Sequence, residues 1–137
     1  MGRAEYRASE PKPSTILLVE DNPFVRVATA DLLRDSGYAV VEAGSVSEVT
    51  TMLSSGALVD AVFSDVGLPG AMGGLSLAIW IRNRYPSMPV VLTSGIKAVI
   101  PALLEQAAVP FLPKPYSSDE LLALISRLLN DAKVIRF

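Results

Sequence analysis

Thr15-Ile16-Leu17-Leu18-Val19-Glu20-Asp21-Asn22-Pro23 is the stretch whose reading decides the fold. After Thr15, residues 16 to 19 form an unbroken apolar run, the pattern of a strand covered on both faces rather than one with a wet side. Asn22 followed by Pro23 is a helix start, with an N-cap side chain and then a residue whose missing N–H costs nothing at the first helical position. Two acids, Glu20 and Asp21, stand between strand and helix. Carboxylates at the end of a buried strand need a counter-charge, because an unpaired charge next to apolar packing is costly.

Working outward, the same alternation recurs. The first strand is read as Thr15–Glu20, and the helix after it runs to about Ser36, with Gly37 as its stop. Tyr38–Ala43 reads as a second strand, and Ser45 with Glu48 forms a capping box opening a helix to about Ser55. Asp60–Asp65 is a third strand, followed by the glycine-rich loop GLPGAMGG and a helix over Leu75–Arg84. Pro89–Ser94 is the fourth strand, a helix is expected from Pro101 to Ala108, and Val109–Leu112 is the fifth strand. Ser117 with Glu120 caps a last amphipathic helix reaching about Asn130. Five strands alternating with five helices predict an α/β fold with a parallel, doubly wound sheet. Residues 1–13 read as a flexible tail, 14–131 as the folded domain and 132–137 as a short second tail.

The composition bounds what such a domain can do. At 137 residues with 50% apolar and 19% charged side chains, the chain is one domain with a full core. A net charge of −2 argues against a nucleic-acid surface or an anionic membrane. No apolar run is long enough to span a bilayer and the first residues lack a secretory signal, so a cytoplasmic location is expected. With no cysteine and no histidine, thiolate chemistry, cysteine-bound zinc and a histidine general base are excluded.

In doubly wound sheets, ligands bind beyond the carboxyl ends of the strands. Glu20, Asp21, Asp65, Ser94 and Lys114 all fall at such ends, which predicts one shared site. Three carboxylates brought together repel one another unless cations intervene. Their oxygen-only character suits Mg2+, with Mn2+ as a substitute. With Lys114 as a point charge and the Ser94 hydroxyl as a donor, the site suits an incoming phosphoryl group, and a carboxylate within it can act as the nucleophile.

The segments LLVEDNPFVR, AVFSDVGLPG, PVVLTSG and FLPKPY resemble those of response-regulator receiver domains, the CheY-like family of two-component signalling. The resemblance covers residues 14–130 and is to the stand-alone receivers that look like those of hybrid histidine kinases. It implies a (βα)5 flavodoxin/CheY-like fold with strand order 2-1-3-4-5. By position, Asp65 resembles the phosphoacceptor, and Glu20 and Asp21 the acidic pair that holds Mg2+ with Asp65 and the backbone carbonyl of Gly67. Counting from Pro89 puts the switch hydroxyl at Ser94, although a slip of one residue would exchange it with Thr93. Lys114 resembles the phosphate-binding lysine, with a cis bond to Pro115, and Phe111 the switch aromatic.

The implied activity is Mg2+-dependent transfer of a phosphoryl group to Asp65 from a histidine kinase or histidine phosphotransfer protein. A shift in the surface of the fourth helix, fifth strand and fifth helix then signals to a downstream protein target. A homodimer through that surface is a further implication, and no metabolic substrate is expected. Only AKVIRF follows Asp131, so output through protein contacts, or through phosphoryl relay onward to a separate histidine protein, is expected. The chain departs from the family in its GLPGAMGG loop, and in having Gly67 and Ile96 two residues after Asp65 and Ser94. Neither side chain can hold a water by hydrogen bond, which predicts slow self-dephosphorylation. Competing readings are a phosphorylation-independent pseudo-receiver module, a flavodoxin-like cofactor binder and an aspartyl-phosphate phosphatase. The last generally needs an acid where Gly67 stands.

Overall fold

The structure is a computed structural model and describes residues 12–68, 73–95 and 108–135. Its core is a five-stranded sheet in the order β2-β1-β3-β4-β5 with every pairing parallel. The strands are β1 (Thr15–Val19), β2 (Ala39–Ala43), β3 (Ala61–Asp65), β4 (Val90–Ser94) and β5 (Phe111–Pro113). The described helices are α1 (Pro23–Asp35), α2 (Val46–Ser54), α3 (Gly73–Arg84) and α4 (Ser118–Ile135). The helix expected from Pro101 lies outside the described residues, apart from Ala108.

Alternation along each central strand divides the core in two. Leu17, Val19, Val62 and Leu92 pack with Val49 and Leu53 of α2 and with Leu77 and Ile81 of α3. Ile16, Leu18, Phe63 and Val91 pack with Ala30 and Leu33 of α1 and with Leu121, Ile125 and Leu129 of α4. Neighbours in sequence thus enter opposite layers, which is why β1 is apolar over Ile16–Val19 and β4 over Val90–Leu92.

The ends of the elements follow their local chemistry. The Asn22 side chain accepts hydrogen bonds from the amides of Phe24 (2.9 Å) and Val25 (3.3 Å), with Pro23 at the first helical position. At the other end of α1, Gly37 takes φ +98°, a conformation that suits glycine, and its amide bonds to the Arg34 carbonyl at 3.0 Å. The capping box at α4 is reciprocal: the Glu120 amide donates to Ser117 Oγ, and the Ser117 amide to Glu120 Oε1, both at 3.1 Å. At α2 the Glu48 carboxylate reaches one residue further back, to the Gly44 amide at 3.3 Å.

Three boundaries differ from the sequence expectation by two residues or more, and the first four strands are each one residue shorter than expected. β5 is Phe111–Pro113 rather than Val109–Leu112, because Pro110 has no N–H to enter the ladder. α3 begins at Gly73, two residues before Leu75, because the glycine pair lets the chain turn close under the end of β3. α4 runs on to Ile135, since DAKVI contains no helix breaker.

Candidate functional site

The carboxyl ends of β1, β3 and β5 bring three charged side chains into contact. Lys114 Nζ lies 2.8 Å from Asp65 Oδ2 and 3.4 Å from Glu20 Oε1. Asp65 ends β3, and its other oxygen, Oδ1, accepts the Gly67 amide at 2.8 Å. Glu20 is buried just beyond β1, with Oε2 accepting the Asn22 amide at 3.2 Å. Lys114 follows β5, its amide bonds to the Ser94 carbonyl at 3.1 Å, and the Lys114–Pro115 bond is cis. The parallel sheet favours this convergence, because its strands all end at one rim, so that residues 94 and 49 positions apart in sequence can meet there.

The remaining sequence-derived residues surround this triad. Asp21 is exposed beside Glu20. Ser94 is buried at the end of β4, and Phe111, at the start of β5, is half-buried against the α2–α3 layer. Gly67 meets Asp65 through its amide. Ile96 lies outside the described residues.

Electrostatics at the site follow from burial. Burial raises the Glu20 pKa; the Asn22 amide lowers it, Asp21 and Asp65 raise it further, and Lys114 lowers it. The net direction is upward from the ordinary 4.5, because an ammonium at 3.4 Å does not offset desolvation plus two neighbouring acids. For Lys114, burial lowers the pKa, but the hydrogen bond and charge of Asp65, with help from Glu20, outweigh it and the net shift is upward.

Glu20, Asp21 and Asp65 carry three negative charges against the single positive charge of Lys114, leaving two unmatched. This surplus and the all-oxygen donor set fit a hard divalent cation. Among the described residues, no group of three or more acidic side chains is arranged to hold a metal ion. Lys114 lies between two of the acids and the third is exposed, so a cation would be met by an open set of oxygens.

Three supporting residues escaped sequence reasoning. Arg26 donates from Nη1 to the Glu20 carbonyl at 2.8 Å and pairs with Glu42 on β2 at 3.5 Å, holding the end of β1. Its signal was available, since it lies one turn into α1 beyond the N-cap and faces back toward that carbonyl. Gly74 packs so closely under β3 that an added Cβ would meet the Asp65 carbonyl oxygen and lie 2.6 Å from the Val66 Cα. The third is Tyr116, whose hydroxyl is hydrogen-bonded to Thr29 and whose ring meets Phe63 edge-on at 5.9 Å. Burial raises the pKa of that phenol.

Residues 16–126 match the family model described as the response regulator receiver domain. The chain is 38% identical over 114 residues to the response regulator protein FleR of Pseudomonas aeruginosa, covering 82% of this chain and 24% of that protein. It is 36% identical over 120 residues to the sensor kinase CckA of Brucella abortus, covering 85% of this chain and 13% of that one. A solved response regulator receiver protein from Sinorhizobium medicae superposes with a TM-score of 0.80 at 31% identity, covering 88% of this chain and 98% of that chain. The chain therefore spans about a quarter or less of the length of these two curated relatives.

Proposed function

This chain belongs to the response regulator receiver family, and on that footing we propose that Asp65 accepts a phosphoryl group from a histidine kinase or a histidine phosphotransfer protein. The domain is a signalling module rather than a metabolic enzyme. The observation that carries the reading is the contact of Lys114 Nζ with Asp65 Oδ2 at 2.8 Å, beside a buried second acid. It supports an ionised carboxylate held ready at a solvent-facing sheet edge, with a cation already in place for incoming phosphoryl oxygens.

In the step itself, an Asp65 carboxylate oxygen attacks phosphorus, the phosphorus–nitrogen bond of the donor breaks, and the imidazole nitrogen leaves with the bonding pair. An acyl phosphate results. The Gly67 amide orients the carboxylate through Oδ1, and Lys114 moves its charge from Oδ2 to the phosphoryl oxygens. Glu20, Asp21, Asp65 and the Gly67 carbonyl would hold Mg2+, or Mn2+ in its place, which would supply the charge neutralisation that phosphoryl transfer needs. Arg26 keeps Glu20 at its post by bonding its carbonyl.

Exposed Phe24 and Val25 at the start of α1 give the phosphoryl donor an apolar surface to dock on. The new charge on Asp65 draws in the Ser94 hydroxyl, and Phe111 follows. This biases the surface around β5 and α4 toward a form that binds a downstream protein or a second copy of the chain.

The test is labelling with acetyl phosphate and Mg2+, read by intact mass. The wild type gains roughly 80 Da, one phosphoryl group, and Asp65→Asn gains nothing. A wild type that stays unlabelled under both acetyl phosphate and a panel of histidine kinases is a pseudo-receiver, and the proposal is then wrong.

A further inference from the structure

The Thr93 hydroxyl is buried, the residue being 3% exposed, and its oxygen has no hydrogen-bond partner among the described residues. An unsatisfied buried hydroxyl is costly and calls for a physical account. Thr93 is the register partner of Asp65 across β3 and β4. Its side chain lines a narrow pocket of about 10 Å³ shared with Glu20, Asp65, Thr29 and Tyr116, with Phe63 among its apolar walls. That volume is about one water-sized sphere, near the lower limit for holding a water, which also needs two to four polar partners. The residues around it bring enough polar groups for this: the hydroxyl residues Thr93, Thr29 and Tyr116 and the acids Glu20 and Asp65.

We propose that this pocket is a binding site for one ordered water, which links the Thr93 hydroxyl to the acidic pair from behind. The water accepts the Thr93 O–H and donates to a carboxylate oxygen of Glu20 or Asp65, so the orphan donor and a crowded negative charge are satisfied together. A valine at position 93 would fill the same space and leave the carboxylates without this donor. A buried threonine just before the last residue of β4 is thereby explained by the site rather than by packing. The inference does not depend on phosphorylation, so it and the proposed function can fail separately.

A crystal structure of the full chain at a resolution that shows ordered solvent tests it. Density for one water at about 2.7–3.2 Å from Thr93 Oγ1 and from at least one other polar atom of the pocket is expected. It should persist in Thr93→Ser and vanish in Thr93→Val. In thermal unfolding, Thr93→Val is expected to lower Tm by about 3–5 °C, because a satisfied hydroxyl and a carboxylate donor are both lost. A wild-type pocket empty of density, or a Thr93→Val protein with an unchanged or higher Tm, overturns the proposal. Should Thr93→Val not fold, the wild-type and Thr93→Ser density decides alone.

Discussion

Glu20 is a buried carboxyl with two other acids beside it. Burial, reinforced by Asp21 and Asp65, raises its pKa above the ordinary 4.5, so the folded chain holds this proton more tightly than the unfolded chain does. Ionising Glu20 therefore costs stability as pH climbs from 4.5 through the folded value, the reverse of a carboxylate whose pKa an ion pair has lowered. The Tm difference between the wild type and Glu20→Gln should move against the wild type over this window in chelator-treated buffer. It should then level off above the folded pKa. Thermal scans from about pH 4 to about pH 8 check this, and a difference moving in the wild type's favour would be evidence against the stated environment. Lys114 has a linkage of the same sign at higher pH: its raised pKa adds stability that is fully present below 10.5 and lost as pH rises through the folded value.

At the scale of elements, the junction of β3 with α3 is a tight joint directly behind Asp65. The Gly74 amide donates to the Val66 carbonyl at 3.1 Å, and the glycine leaves no room for a side chain against the Asp65 backbone. Gly74→Ala must displace either the helix start or the end of β3, at a cost of about 1–3 kcal/mol. Gly56 after α2 is the control: it sits at φ +90° with open space around it, so Gly56→Ala costs about 1 kcal/mol through backbone strain alone. Both variants should melt earlier, but only Gly74→Ala should slow acetyl-phosphate labelling of Asp65. Equal labelling rates in the two would separate this joint from the chemistry.

For the whole molecule, the two-sided core makes a simple demand. Ile16 and Leu17 are adjacent, both fully buried, and belong to different layers. Ile16→Ala and Leu17→Ala should each cost about 2–5 kcal/mol in chemical denaturation, since each opens a cavity in a closed layer. A sheet with one wet face would tolerate one of them, so a cost under about 1 kcal/mol for either variant contradicts the covered arrangement.

Much of this was legible in the residue order. Apolar runs of strand length, Asn22-Pro23, the boxes at Ser45 and Ser117 and the glycine stops report local physics, because caps and strand periodicity depend on neighbours a few positions away. Even the meeting of Glu20, Asp65 and Lys114 could be anticipated, since a parallel sheet gathers its strand ends at one rim. Local rules misplaced β5 and the start of α3, where a proline's missing donor and a glycine pair's close packing against another strand set the limit. Only the folded chain decided that Lys114 lies against both acids, that Arg26 holds the Glu20 carbonyl, and that the Thr93 hydroxyl faces a pocket instead of a partner. Those depend on ångström-scale packing between segments far apart in sequence, and no short-range pattern encodes such distances.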